Sequence, residues 1–194
     1  MNSDLFNKIY SELDLLWKKN SILSNFVELP RALNFNNIKS NYIKSAKKFY
    51  NWKIDTKKNS NIHNLIRELS PKINWKQNYS EKDVGKKFLE NFCYFEFIGP
   101  DGIFISNEIS IYFIFFDKNT FYTWHHHEAE EIYFVLSGKA KFESYGDKSE
   151  ILGPNQARFH KSFQPHSLTT QEDKCLSIVV WRDKLDSEVS VVKI

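Results

Sequence analysis

The sequence predicts a mainly β protein with a helical N-terminal part, and two features of its 194 residues carry that prediction. In the first half, apolar residues recur at three- and four-residue steps, the period of a helix that buries one face. After Gly99-Pro100-Asp101-Gly102 the pattern changes to short segments rich in Ile, Phe, Val and Tyr. Five of the six glycines lie from Gly99 onward, where strands need turns between them.

Taken in order, Leu5, Ile9, Leu13, Leu16 and Trp17 predict an amphipathic helix over 3–19, with Ser3 or Asp4 as its cap. Ile38, Tyr42, Ala46 and Phe49 repeat the spacing. So do Ile62, Leu65, Ile66 and Leu69 before Pro71, and Val84, Phe88, Leu89 and Phe92 after Ser80 and Glu81. Pro30 and the polar stretch 56–61 mark intervening turns. Strands are expected over 109–116, 121–127, 131–136, 139–145, 149–152, 156–160, 166–170 and 175–181. Such closely spaced short strands suggest a small barrel or sandwich with alternating inward and outward side chains. Residues 1–93 are therefore expected to form a helical region packed on a β-barrel of residues 94–194, because no repeat or low-complexity linker separates the halves.

Composition removes several function classes. The 27 basic and 24 acidic residues leave a formal charge of +3 spread along the chain, with no basic recognition helix, so no nucleic-acid partner is expected. No stretch approaches the roughly 18 apolar residues of a membrane span, and the acidic, amphipathic first segment does not read as a signal peptide. Cys93 and Cys175 lie far apart with no CxxC pair, which fits a reducing compartment and packed thiols. The expectation is a cytoplasmic protein with no membrane partner.

The chemistry concentrates in FYTWHHHEAEEIYFVLSG, residues 121–138. Alternate residues of a strand face one side, so His125 and His127 can point inward together while His126 points out. Glu131 and Tyr133 pair in the same way on the next segment. Two imidazoles and a carboxylate can then converge on one divalent transition metal, such as Fe, Zn, Mn, Ni or Co. A further ligand can come from His160 or His166. His166 is preferred, since Pro165 ends the preceding loop and His166 can open the next strand. His160 then reads as a surface or pocket-wall residue, His63 as structural, and Glu128 and Glu130 as solvent-facing. Phe113, Phe115, Phe134 and Phe142 read as packing residues.

The run His125-x-His127-xxx-Glu131-xxxxxx-Gly138, with Gly153 to His166 as a second motif, resembles the metal-binding signature of the cupin superfamily. Tyr122, Ala129, Tyr133, the preceding Ile98-Gly99-Pro100-Asp101-Gly102 and the late Trp181 resemble, more narrowly, the cupin-type dimethylsulfoniopropionate lyases. Thr123 departs from that pattern, which would place proline there. The resemblance spans roughly residues 80–185 in specific motifs. It implies a cupin double-stranded β-helix barrel preceded by packed helices, with His125, His127, Glu131 and His166 as metal ligands.

It also implies a β-elimination that releases dimethyl sulfide and acrylate from a small sulfonium carboxylate. Tyr133 is the expected base, standing next to the metal, and Tyr122 competes for that role or orients the substrate. Aromatic faces attract the cationic sulfonium, and Trp181, Tyr122 and Trp124 are available, although the parity of Trp124 turns it outward. Two rival readings use the same ligands. One is another metal-dependent cupin enzyme, an oxygenase or isomerase acting on a small acid; an oxygenase would need oxygen and reducible iron. The other is a non-catalytic cupin that binds a small ligand and has no need of Tyr133.

Overall fold

A computed structural model describes residues 2–54 and 61–193. The first amphipathic segment forms helix α1 (Asn2–Lys19), in which Phe6, Ile9, Leu13 and Trp17 are buried. Helix α2 (Ser21–Phe26) follows, capped by the Asn20 side chain, which accepts from the Ile22 and Leu23 amides. A short strand β1 (Asn34–Phe35) precedes helix α3 (Lys44–Tyr50). Residues 38–42, whose spacing predicted helix, are not helical. Helix α4 (Asn61–Leu69) buries Ile62, Ile66 and Leu69; the turn expected over 56–61 lies, apart from Asn61, outside the described residues. The fourth predicted helix divides at Gly85 into α5 (Glu81–Val84), capped by Ser80, and α6 (Lys86–Asn91).

Phe92 opens a strand rather than ending a helix. Strand β2 (Phe92–Gly99) is followed by β3 (Phe104–Ile105), β4 (Ile109–Phe116), β5 (Phe121–His126), β6 (Glu130–Gly138) and β7 (Ala140–Ser144). The remaining strands are β8 (Glu150–Leu152), β9 (Ala157–His160), β10 (His166–Thr169), β11 (Cys175–Arg182) and β12 (Ser190–Val191). They form a seven-stranded sheet in the order β1-β3-β2-β4-β11-β6-β9 and a five-stranded sheet in the order β12-β5-β10-β7-β8. Apart from the parallel β2–β3 pair, the pairings are antiparallel. Gly138 closes β6 at φ +73°, and a Cβ there would fall 1.7 Å from the Lys174 carbonyl oxygen, so only glycine fits.

Period-two alternation divides the seven-stranded sheet between two cores. Phe95, Phe97, Phe113, Phe115, Phe134, Ile178 and Val180 turn outward and pack with α1, α3 and α4. Phe92, Ile114, Phe116, Tyr133, Val135, Val179 and Trp181 turn into the barrel, against Phe142 and Leu168 of the five-stranded sheet. The outer core is dense in rings: Phe49 of α3 lies 5.3 Å from Phe115, 5.6 Å from Trp75 and 5.2 Å from His63, between ring centroids. Arg182 ties the second helix to the sheet. Its guanidinium donates to Glu130 Oε2 at 2.6 and 2.8 Å and to the Phe26 carbonyl at 2.7 Å, and lies 4.4 Å from the Phe26 ring centroid. Glu130, expected to face solvent, is therefore a half-buried partner of this arginine. Both cysteines are free and buried.

Candidate metal centre

The barrel brings the predicted ligands to one place from both sheets. His125 and His166 are direct register partners of β5 and β10 in the five-stranded sheet. Glu131 pairs with Trp181 on one side and His160 on the other, all facing inward from the seven-stranded sheet. His127, just past the end of β5, lies between them. One ligand atom each from His127, Glu131 and His166 falls within 4.8 Å of the others. His127 Nε2 is 3.4 Å from Glu131 Oε1, and His166 Nε2 is 3.1 Å from Glu131 Oε2. His125 adjoins this group, with its ring centroid 4.2 Å from that of His166. His126 points away and meets Phe163 at 5.7 Å.

The backbone fixes how these rings present themselves. His125 Nδ1 lies 2.8 Å from the Thr123 carbonyl, His127 Nδ1 2.9 Å from that of Ala129, and His166 Nδ1 2.8 Å from that of Gln164. A carbonyl only accepts, so each Nδ1 carries the proton and each Nε2 keeps a lone pair for the site. His127 Nε2, His166 Nε2 and Glu131 Oε2 are buried without a hydrogen-bond partner. Lone pairs facing a carboxylate repel unless positive charge sits among them. Nitrogen and oxygen donors in this arrangement fit a divalent transition metal, so the group could hold one.

The electrostatics agree. Burial resists ionisation of Glu131, but the His127 and His166 imidazoles outweigh it and hold its carboxyl well below the usual range. Burial also opposes a proton on His127, and the Glu131 charge overrides that to raise its pKa. His125 is driven the other way, by burial and then by His166.

Of the two places expected for His160, surface or pocket wall, the surface is excluded. It is buried, its Nδ1 lies 3.3 Å from Glu131 Oε2 and its ring 3.9 Å from that of His166, and neither nitrogen has a hydrogen-bond partner. It packs against Glu131 and His166, beside the ligand group rather than at the surface. Alternation within 156–160 was the signal available, since it puts His160 on the same face as Arg158, which pairs with Tyr133. His63 is structural as expected: buried on α4, it donates from Nε2 to the Trp52 carbonyl at 2.9 Å and accepts at Nδ1 from Ser137 Oγ at 2.7 Å.

A cavity of about 480 Å³ opens onto the cluster, lined in part by Tyr79, Tyr122, His125, His127, Tyr133 and Trp181. Trp181 donates from Nε1 to Glu131 Oε1 at 2.8 Å and lies 4.3 Å from the His127 ring, so it positions a candidate ligand as well as forming a wall. Tyr122 stacks on His125 at 3.9 Å, and its hydroxyl is hydrogen-bonded to that of Tyr79, a residue sequence reasoning did not single out. Among the described residues no hydrogen bond engages the Tyr133 hydroxyl. Burial, and then the Glu131 charge, push the Tyr133 phenol well above its ordinary value; burial and then Tyr79 do the same to Tyr122.

With this geometry in place, comparison with known proteins is specific. The dimethylsulfoniopropionate lyase DddQ of Ruegeria pomeroyi is 34% identical over 113 residues, covering 58% of this chain and 56% of that protein, so the match spans about half of that relative's length. The crystal structure of the lyase DddQ from Ruegeria pomeroyi superposes with a TM-score of 0.92 at 27% identity, covering 97% of this chain and 96% of that one. A crystal structure from a study of the lyases RdDddP and RnDddQII also gives 0.92, at 24% identity and full coverage of both chains, a likeness that speaks to fold alone. The fold is the expected cupin barrel preceded by packed helices. The profile of the dimethylsulfoniopropionate lyase family matches residues 21–177, most of the chain, and the protein belongs to that family.

Proposed function

We propose that this protein is a metal-dependent lyase that cleaves dimethylsulfoniopropionate into dimethyl sulfide and acrylate, with His125, His127, Glu131 and His166 as ligands and Tyr133 as the base. The observation that carries this reading is the juxtaposition on one strand face of Glu131, in the ligand cluster, and Tyr133, whose hydroxyl is otherwise unengaged. Family membership and the DddQ relative support the substrate.

The hard step is removal of a proton from the carbon beside the carboxylate. A divalent cation (Fe, Zn, Mn, Ni or Co) bound by the cluster would supply Lewis-acid stabilisation of the charge that spreads onto that carboxylate. Tyr133 takes the proton as a phenolate; burial and Glu131 oppose that form, and a cation held beside it would favour it. The C–H electron pair forms the new double bond, the carbon–sulfur bond breaks, and its pair leaves on sulfur as neutral dimethyl sulfide. Tyr122, held by His125 and Tyr79, orients the substrate, and Trp181 holds Glu131 and lines the same space. No electrons are exchanged with an external acceptor, so turnover needs no oxygen.

Headspace gas chromatography on the metal-loaded protein tests this directly. Dimethyl sulfide should appear from added dimethylsulfoniopropionate under anaerobic conditions and fall to background after chelation. Silence from folded, loaded protein, or a strict need for oxygen, would move the assignment to another metal-dependent cupin reaction.

A further inference from the structure

The cavity has a second charged end that the elimination chemistry does not use. Glu96 on β2 and Tyr112 on β4 are register partners, and Tyr94 and Glu96 share the inward face of β2. Tyr94 and Tyr112 meet edge to face at 5.9 Å, and Tyr112 meets Trp181 in the same way at 5.5 Å. All four residues line the cavity that also reaches His127 and Glu131.

Glu96 is only 7% exposed, yet among the described residues it forms no ion pair. Its carboxylate is nonetheless held in place: Ser110 Oγ donates to Oε1 at 3.0 Å, and the Asp101 backbone also bonds to it. Gly99 leaves room for it, since a Cβ there would fall 1.9 Å from Glu96 Oε1. Burial, aided by the Asp101 charge, holds this carboxyl above its ordinary value against the pull of Ser110 and the Lys76 charge. A buried, oriented carboxylate of this kind gains from a cation delivered to it.

We infer that this end of the cavity seats the substrate's cationic group, with Glu96 supplying the charge and Tyr94, Tyr112 and Trp181 the aromatic walls. The inference rests on the lyase reading for the identity of the substrate. A dimethylsulfonium group has no N–H or O–H to donate, so charge and π faces are the means of recognising it. Trp181 stands between the two poles: its N–H holds Glu131 on the carboxylate side, and its ring meets Tyr112 on the cation side. Glu96 is thus a specificity residue, selecting zwitterions over acids with neutral tails.

Two inert, isosteric acids test it by calorimetry on the metal-loaded protein: 3-(trimethylammonio)propanoate, which carries a quaternary cation, and 4,4-dimethylpentanoate, its neutral counterpart. The wild type should prefer the cationic acid by about tenfold or more, and Glu96→Gln should reduce that preference to within about twofold while the neutral acid binds as before. Glutamine keeps an acceptor for Ser110 and Asp101, and metal content and Tm check that the variant is intact. A wild type that does not distinguish the acids, or an unchanged ratio in Glu96→Gln, overturns the inference. Dimethyl sulfide release is scored separately. Charge selection without release would retain the cation seat and remove the lyase reading; release without charge selection would do the reverse.

Discussion

At the scale of residues, the histidine run separates by strand parity and by what each Nδ1 touches. His125 and His127 turn inward with Nδ1 bonded to backbone carbonyls, whereas His126 leans on Phe163. His166→Ala should therefore lower bound metal to well under one equivalent, while His126→Ala should retain it, as read by plasma emission spectrometry on dialysed protein. Tyr133→Phe should keep metal and fold and lose about 10²- to 10⁴-fold in turnover, the usual range for removing a positioned base. Near-normal turnover in that variant would shift the base to Tyr122. The inward placement of His125, His127 and Glu131 was legible because period-two alternation is a local rule. His160, Tyr79 and Glu96 were less so, because their importance depends on which strands and helices become neighbours.

At the scale of elements, the strands from 109 onward were readable because glycine- and proline-bearing turns separate segments rich in β-branched and aromatic residues. Strand β2 was hidden. Phe88, Leu89 and Phe92 continue a helical spacing across the true boundary, and both faces of β2 carry buried aromatic rings, so alternation is muted. Residues 38–42 failed for the opposite reason: their apolar groups pack against the core from extended chain, where Asn41 bridges to Asn74. The contacts of α3 predict a measurable dependence. Phe49→Ala removes a ring set among Trp52, His63, Trp75 and Phe115, and should lower unfolding free energy by about 3–5 kcal/mol in urea titrations. A loss under about 1 kcal/mol would mean that the helix layer is not packed on the sheet as described.

At the scale of the whole molecule, the helical layer and the barrel are joined through buried polar groups as well as through rings. His63 is the clearest, reaching from α4 to Ser137 on β6. Burial, and after it the Arg67 charge, outweigh the Trp52 carbonyl, which favours the protonated ring, and leave its pKa lowered to about 4. The unfolded chain therefore binds this proton more readily than the folded one between about pH 6.5 and 4, so stability is complete above that window and is lost as pH falls through it. The loss from this residue between pH 7.5 and 5 should be about 2 kcal/mol. Chemical denaturation of wild type and His63→Gln at both values isolates it, since the variant should show a shallower fall whatever its starting stability. Equal slopes would refute the assignment. Among the described residues no helix is long and apolar enough to cross a membrane. The apolar face of α1 is buried in the outer core.

The anchoring of His125, His127 and His166 has an evolutionary consequence. Each ring is oriented by a carbonyl oxygen two positions away along its own chain, an atom that every amino acid supplies. Substitution at 123, 129 or 164 therefore leaves the acceptor in place so long as the local backbone path is kept. The three imidazoles thus keep their orientation while the side chains at those positions change, and lose it when the path of the backbone itself is bent.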